Sequence, residues 1–391
     1  MVPYMNKMGL VKMSKKKKEH KRTPIKPNVK NMLWLRAAGR CEFRGCNKRL
    51  WLDDLTKNPC NQANIAHIVS DSPEGPRGDV VRSPLLAGDI ENLMLLCRDH
   101  HGLIDSMDYV SDYPEELLLR MKKDHELRME RVAGIKDEMG AHTVACSVAI
   151  EDTLPPIDAN MLNRALLPDY YPVEERPIEI GWTYFKEGDW NKYWKDEELK
   201  LVTQCRNRIL DQIGSWPNKR IALFAMGPMH LLVKLGTILN DKIPVEVYQK
   251  HRNPDTWAWQ DGGPVDYIVN APQDYSKDPV LVFSLSYDIT DRVKKHYGEG
   301  ASVWEFRIDS PNNDFLRAKS QLEEFSKKVY EVLANIKLKT QKERVKVFMS
   351  MPVACAVELG RVWMKKADVA LDLYDYNTKY SEKDEYALTI R

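Results

Sequence analysis

The segment LCRDHHGLID, residues 96–105, places Cys97, His100, His101 and Asp105, whose side chains can bind metal ions, within nine positions. Two histidines are adjacent, a cysteine lies three residues before the first, and an aspartate lies four residues after the second. Neighbouring side chains on a helix point about 100° apart, so adjacent histidines do not readily share one tetrahedral ion. The spacing therefore predicts two sites, one that uses Cys97 and His100 and another that uses His101 and Asp105.

A second pair of potential zinc ligands lies upstream. In CEFRGC, four residues that include a glycine separate Cys41 from Cys46. Two such pairs, distant in sequence, suit a closed tetrahedral zinc site. The ligands predicted for a structural Zn²⁺ are Cys41, Cys46, Cys97 and His100. The alternative is a pair of reduced, buried cysteines beside an accidental Cys-x-x-His, and Cys60 could replace one ligand.

Length and composition exclude several classes of protein. The chain has 391 residues, of which 43% are hydrophobic and 30% charged, as in an ordinary globular protein of two or more domains. The sequence contains no apolar run of about 18 residues, so we expect no membrane span. The N-terminus lacks the features of a secretory signal. Seven scattered cysteines, an odd number, do not form a secreted disulfide framework. We therefore expect a cytoplasmic protein.

Composition also divides the chain. The predicted regions are a flexible basic arm (1–30), a metal-binding domain (31–145), a proline-rich linker (146–165) and a second domain (166–391). The net charge of +2 is small, but basic residues cluster at Lys15–Lys18, Lys21 and Arg22. Such a cluster is either a solvated tail or, beside a nuclease, an element that attracts phosphates.

The second domain alternates apolar strands with helices, which predicts parallel sheets covered by helices in an α/β architecture. Its predicted strands are RIALFAMG, IPVEVYQ, PVLVFSLSY, SVWEFRI, RVKVFMS and VALDLYDY. Residues 224–236 and 348–360 share Phe, Pro and Gly at identical spacings. This match indicates a duplication into two Rossmann-like halves, whose helix N-termini would approach one crevice suited to phosphates.

Another ordered set of polar residues is interleaved with the predicted zinc-ligand pairs. His67 follows an apolar run, Asn92 lies five residues before Cys97, and His101 opens a helix. Together with the zinc-ligand pairs, this order resembles the HNH endonucleases of the ββα-metal type over about residues 35–130. The resemblance implies an α+β nuclease domain with a zinc knuckle that cuts double-stranded DNA.

Phosphodiester hydrolysis needs a deprotonated water and a cation beside the phosphate. His67 is the natural general base, because imidazole titrates near neutral pH. The resemblance implies that Asn92 braces the loop and orients His67. His101 and Asp105, at helical i,i+4 spacing, can hold one Mg²⁺ or Mn²⁺ and leave room for water and phosphate oxygens.

One departure from the HNH pattern concerns this cation. Many members of the family carry an acidic residue immediately before the first histidine, and this chain has Ala66 there. Either Asp105 supplies the missing carboxylate, or Asp71 or Asp99 does. In the loop GPRG, Arg77 could contact a DNA phosphate or brace the loop.

Aromatic and polar residues in the second domain predict a nucleotide site. In YQKHRNPDTWAWQDGG, Trp257 and Trp259 alternate with Ala258 as on one face of a strand, where they could stack on bases. His251 or Arg252 could meet a phosphate, and an aromatic core pair is the alternative. With the two proline turns and FSLSY, this stretch resembles a SAVED domain, a CARF-related sensor of two fused Rossmann-like halves that binds cyclic oligonucleotides.

The whole chain thus resembles the HNH–SAVED effectors of bacterial cyclic-oligonucleotide anti-phage signalling (CBASS). The resemblance implies an endonuclease that a cyclic di- or trinucleotide activates, a functionally linked nucleotidyltransferase, and homo-oligomers, dimers that assemble further on ligand binding. The residues expected to bind the ligand are Pro228, Gln249, His251, Arg252, Trp257, Trp259, Ser286, Tyr287 and Pro352. Two alternatives are a restriction-type HNH endonuclease whose C-terminal domain recognises a DNA sequence, and a non-catalytic, zinc-stabilised nucleic-acid-binding protein.

Overall fold

The computed structural model describes residues 23–150, 154–182, 190–216, 218–376 and 383–391. The chain divides into two compact units between Gly134 and Ile135. This division lies before the predicted boundary at residue 145, because residues 140–148 form a strand of the second unit's sheet. The basic cluster Lys15–Lys18, with Lys21 and Arg22, lies outside the described residues.

The first unit is small and mixes helices with a two-stranded sheet. Its elements are α1 (Pro27–Arg36), β1 (Ala63–His67), α2 (Arg82–Leu86), β2 (Leu93–Cys97), α3 (Arg98–Asp105) and α4 (Glu115–Ala133). Helix α1 begins at Pro27, whose fixed φ suits the first helical position, so the predicted flexible arm of residues 1–30 overlaps a helix. Strands β1 and β2 pair antiparallel, with His67 opposite Leu93, and α3 follows β2 without a break.

The core of the first unit surrounds β2, in which all five residues are buried. Leu33 of α1, Ile104 of α3 and Leu118 of α4 belong to the same cluster. An isolated two-stranded sheet is marginally stable, so this unit depends on what its helices and loops add around the sheet.

The second unit is an α/β structure, and each strand predicted in it is present. Its strands are β3 (Gly140–Val148), β4 (Tyr171–Pro172), β5 (Ile178–Trp182), β6 (Ile221–Met226), β7 (Val245–Tyr248), β8 (Ile268–Asn270), β9 (Asp278–Ser284), β10 (Ala301–Arg307), β11 (Arg344–Ser350), β12 (Ala370–Asp375) and β13 (Glu385–Ile390). Its helices are α5 (Ala159–Leu166), α6 (Trp190–Cys205), α7 (Met229–Leu239), α8 (Thr290–Tyr297), α9 (Lys319–Thr340) and α10 (Val353–Val362). The predicted linker 146–165 therefore contains the end of β3 and most of α5. Among the helices of the described ranges, none combines the length and apolar character needed to cross a bilayer.

Both sheets of the second unit have the same strand order. In one, β5, β3, β6 and β7 lie side by side and parallel. In the other, β10, β9, β11 and β12 do so, flanked by antiparallel β8 and β13. Numbered by chain order within each half, both read 2-1-3-4. The duplication predicted from two short segments thus extends over two complete halves.

Helices α7 and α10 show why the repeated segments share a glycine. A Cβ on Gly236 would lie 2.0 Å from the carbonyl oxygen of Val357, and one on Gly360 would lie 1.9 Å from that of Val233. Only a residue without a side chain permits so close an approach. The two halves are therefore joined by direct contact between helix backbones.

Candidate functional site

The predicted zinc ligands meet where β2 passes into α3. The ligand atoms of Cys41, Cys46, Cys97 and His100 all lie within 4.8 Å of one another. Nδ1 of His100 lies 3.1 Å from Sγ of Cys97 and 3.6 Å from Sγ of Cys41. Three thiols and an imidazole at these separations are the donor set of a tetrahedral zinc centre, so the cluster could bind zinc. Cys60 lies outside the cluster and accepts a hydrogen bond from Gln62.

The surroundings of this cluster suit a bound cation. The ring of Phe43 stacks on His100 with centroids 4.0 Å apart and planes 5° apart, which fixes the orientation of the imidazole. Burial raises the pKa of the Cys41 thiol, so a thiolate at this position needs a neutralising charge beside it. A zinc ion supplies that charge and deprotonates coordinating thiols.

His67 lies at the end of β1 and is 7% exposed. Its Nε2 lies 3.0 Å from the carbonyl oxygen of Ala87. Because a carbonyl can only accept, Nε2 carries a proton, and in the neutral imidazole Nδ1 is then the nitrogen with the lone pair that a general base needs. This backbone contact sets the tautomer, and nothing in the sequence signals it.

The side chain of Asn92 braces two segments of the chain near this histidine. Its Oδ1 accepts a hydrogen bond from Val69 N–H at 2.8 Å, and its Nδ2 donates to the carbonyl oxygens of Val69 at 2.9 Å and Leu86 at 3.2 Å. Val69 lies two residues after His67, and Leu86 precedes Ala87. The buried amide thus joins the segment that bears the imidazole to the segment that orients it.

His101 and Asp105 face each other on the first and last turns of α3. Nε2 of His101 lies 3.5 Å from Oδ2 of Asp105. Two donor atoms that each lie about 2.1 Å from one ion are roughly 3.0–3.5 Å apart, so the pair fits a shared divalent cation. Oδ1 of Asp105 accepts a hydrogen bond from Nη2 of Arg77 at 3.1 Å. Asp105, one of the carboxylates that could replace the acidic residue missing at Ala66, pairs with His101, and Asp71 accepts a hydrogen bond from the Thr23 backbone.

In the second unit, the residues predicted to bind a ligand follow the carboxyl ends of parallel strands. Pro228 and Pro352 are the N-cap residues of α7 and α10, one position earlier than the predicted first turn. Ser286 and Tyr287 follow β9, and Gln249 follows β7. In open α/β sheets, ligands bind outside these ends at the point where the strand order reverses, which here lies between the first and third strands of each half.

Side chains at this end of the second unit join its two halves. Oε1 of Gln249 accepts a hydrogen bond from Ala354 N–H at the start of α10, at 3.2 Å. His251 Nε2 and Trp259 Nε1 are buried and have no hydrogen-bond partner among the described residues. Buried polar atoms without partners are uncommon and suit contact with a ligand or water. Burial lowers the pKa of His251, and the positive charge of Arg317 lowers it further.

Trp257 does not have the accessible position that a base-stacking residue needs. It is 1% exposed, and its ring meets Phe224 edge-on with centroids 5.4 Å apart. Residues 257–259 also do not form a strand, so the alternation that suggested one shared face does not apply. Trp257 is a core residue, as in the aromatic-core alternative, whereas Arg252 and Tyr287 are exposed.

Residues 203–391 match the family model described as the SMODS-associated and fused to various effectors sensor domain, SAVED. The second unit carries a SAVED domain. The matched region of this SAVED domain starts later than the predicted residue 166 and includes both helices of the glycine contact. None of the curated proteins with which the chain was compared matches it.

Solved structures similar to the chain include SAVED receptors. A Cap4 SAVED/CARF-domain containing receptor of Acinetobacter baumannii with the cyclic trinucleotide 3′3′3′-cAAA is 10% identical, over 72% of this chain and 61% of that one, with a TM-score of 0.43. The same receptor with 2′3′3′-cAAA is 11% identical over 72% and 60%, with a TM-score of 0.42. A Cap4 receptor of Moraxella osloensis is 11% identical over 78% and 66%, with a TM-score of 0.39. The chain spans about three fifths of the length of the Acinetobacter receptor.

Proposed function

We propose that the chain is a metal-dependent endonuclease that cuts double-stranded DNA when a cyclic oligonucleotide binds its SAVED domain. The observation that carries the nuclease proposal is the set of contacts around His67. Its Nε2 is occupied by Ala87, its Nδ1 is left as a base, and its loop is held by Asn92. This is the arrangement that the resemblance to HNH endonucleases implies.

The proposed mechanism assigns one task to each side chain. His101 and Asp105 would hold the divalent cation, which supplies positive charge at the phosphate and at the leaving oxygen. Nδ1 of His67 takes the proton from the attacking water. Asn92 keeps the imidazole in place through the backbone, and the Cys/His cluster holds β2 and α3 in register when zinc fills it.

The sensor half of the proposal rests on the SAVED domain and on the polar atoms at its strand ends. Within the described part of the chain, His251 Nε2 and Trp259 Nε1 lack hydrogen-bond partners, and a nucleotide could supply them. The exposed Arg252 and Tyr287 could reach a phosphate and a base. By its likeness to HNH–SAVED effectors, the protein would act in anti-phage defence beside a nucleotidyltransferase and assemble from dimers when the ligand binds.

The test is plasmid cleavage with Mg²⁺ and a panel of cyclic di- and trinucleotides, with the His67→Ala variant as control. We expect little cleavage without ligand and degradation of the plasmid with one member of the panel. Cleavage that depends on ligand but survives in His67→Ala would contradict the assignment of the base. Discrete fragments without ligand would favour a restriction-type enzyme, and no cleavage in any mixture would favour a binding protein.

A further inference from the structure

Arg77 joins the two parts of the proposed nuclease site. Its guanidinium is 8% exposed and donates three hydrogen bonds, from Nε to Ile68 O at 2.6 Å, from Nη1 to Ile104 O at 2.7 Å, and from Nη2 to Asp105 Oδ1 at 3.1 Å. Ile68 follows His67, and Ile104 precedes Asp105. One side chain therefore connects the backbone beside the proposed base to the helix that bears the proposed metal ligands.

The backbone around Arg77 is shaped to deliver this contact. Arg77 has a φ of +54°, in the left-handed region that residues other than glycine seldom adopt. A Cβ on the next residue, Gly78, would lie 2.4 Å from the carbonyl oxygen of Ser72. The loop can close this tightly only with glycine there, and the three hydrogen bonds offset the unfavourable backbone conformation of the arginine.

The buried position of Arg77 also bears on the two roles predicted for it, contact with a DNA phosphate and bracing of the loop. Every nitrogen of its guanidinium already donates to an acceptor within the unit. Burial lowers the pKa of this side chain, but a guanidinium stays charged at any physiological pH. Its positive charge therefore acts directly on Asp105.

We propose that Arg77 is a positioning residue that sets the affinity of the nuclease site for its cation; this inference rests on the proposed function. Because Arg77 holds Oδ1, Asp105 presents only Oδ2 towards His101. The guanidinium also cancels the charge of the aspartate, so the protein alone offers a nearly neutral site. The divalent cation then binds weakly until a DNA phosphate adds negative charge, and DNA and cation each strengthen the binding of the other.

The test is calorimetric titration of the full chain with Mn²⁺, without DNA. Cleavage assays accompany it, with the cyclic nucleotide that the panel identifies as the activator. In Arg77→Gln, the carboxylate regains its full charge but loses its fixed orientation. We expect Mn²⁺ to bind about tenfold more tightly, whereas cleavage falls by about tenfold or more. A merely structural role would weaken both properties together.

Two further variants keep the result interpretable. Arg77→Lys retains the positive charge without the three-pronged geometry, so its Mn²⁺ affinity should match that of the unmodified chain while cleavage falls. Arg82→Gln is the matched control, because Arg82 forms a surface pair with Glu115 and should change neither property. Zinc content, measured in each variant, shows whether the Cys/His cluster is intact.

The proposal is overturned if Mn²⁺ binds Arg77→Gln more weakly than the unmodified chain or with equal affinity. It is also overturned if Arg77→Lys gains affinity, because charge would then not be the cause. Failure of the proposed nuclease function would look different, since the unmodified chain itself would bind no Mn²⁺ and cut no DNA with any ligand.

Discussion

The two units build their candidate sites from different stretches of chain. In the first unit, the proposed nuclease residues lie between His67 and Asp105 and are positioned by β1, β2 and α3, which are close in sequence. In the second, the proposed ligand residues lie between Pro228 and Pro352 at the ends of four separate strands. Chemistry carried by neighbouring elements leaves a pattern of spacings in the sequence, whereas a pocket assembled from distant strand ends does not.

The two units also differ in the size of their hydrophobic cores. The first unit packs its helices on a two-stranded sheet, beside the Cys/His cluster. The second has one large cluster of buried residues that includes strands of both halves and the helices between them. The first unit should therefore depend on metal, and the second should not. The following predictions test that difference from the largest effect to the smallest.

Loss of zinc should unfold the first unit and leave the second folded. Cys97→Ala removes one ligand of the zinc ion, and chelation removes the ion itself. In small zinc modules the binding free energy of the ion is about 10 kcal/mol or more. Hydrogen exchange by mass spectrometry should show lost protection in β2, α3 and α4 and unchanged protection in β6 and β11. The matched control is Cys355→Ala, which removes the thiol of a buried cysteine of α10 outside the Cys/His cluster and should cost about 1 kcal/mol. A first unit that keeps its protection after chelation would contradict this dependence.

His67→Ala should abolish DNA cleavage by the first unit without affecting binding of the cyclic nucleotide to the second. General-base catalysis contributes about 10²–10⁴-fold, so we expect plasmid cleavage to slow by that factor. Calorimetric affinity for the activating cyclic nucleotide should not change. His125→Gln is the control, because His125 is another buried histidine of the first unit that donates to Ala37 O away from the proposed site. Equal losses of cleavage in both variants would show that folding, not catalysis, was affected.

The sequence predicted which side chains of the first unit form the Cys/His cluster and the His101–Asp105 pair, but not the backbone acceptor that orients His67. Short spacings on adjacent elements were sufficient for this, because they determine which side chains can meet. The contact between His67 and the Ala87 carbonyl was not predicted, and for Arg77 the sequence left loop bracing and a DNA phosphate as alternatives. A backbone acceptor carries no residue signature, and the direction of Arg77 depends on a positive φ that its sequence does not announce.

In the second unit, the predicted strands are present, whereas the set of ligand-binding residues stays a prediction. Runs such as VLVF indicate strands buried on both faces, as parallel sheets require. The sequence divides strand β3 between the metal-binding domain and the linker, because the prolines that follow it suggest an irregular connection, although eight of its nine residues are buried. The aromatic alternation in TWAW looks the same whether a tryptophan faces a ligand or the core, which is why Trp257 was misplaced.

The tryptophan pair separates packing from binding within the second unit. Trp257→Ala leaves a cavity beside Phe224 and should lower the free energy of unfolding by about 3–5 kcal/mol. Trp259→Ala should cost less stability, since Trp259 is only partly buried, and should weaken binding of the activating nucleotide by about tenfold through lost stacking. Urea denaturation and calorimetry measure the two effects. Undiminished nucleotide affinity in Trp259→Ala would move the pocket away from this residue.

The smallest expected effect is on pH dependence, because each unit contains a histidine whose pKa is lowered chiefly by burial, His125 in the first and His251 in the second. The unfolded chain then binds a proton more readily than the folded one, so each unit loses stability as pH falls below about 6.5 and gains none above it. Urea denaturation between about pH 7 and pH 5 should show this loss reduced in His125→Gln and His251→Gln, each in its own unit. An unchanged slope in a variant would assign the acid sensitivity of that unit to other groups.

The two histidines should respond differently when the cyclic nucleotide binds. A phosphate beside His251 would raise its pKa, because negative charge favours the imidazolium, so binding would take up a proton and strengthen as pH falls from about 7 to about 5. His125 is hydrogen-bonded to Ala37 and Arg128 within the first unit and should contribute no proton uptake. Calorimetry in two buffers of different ionisation enthalpy measures the protons taken up. Uptake that persists in His251→Gln, or none in the unmodified chain, would place the phosphate away from this imidazole and leave its unpartnered Nε2 to a neutral part of the ligand.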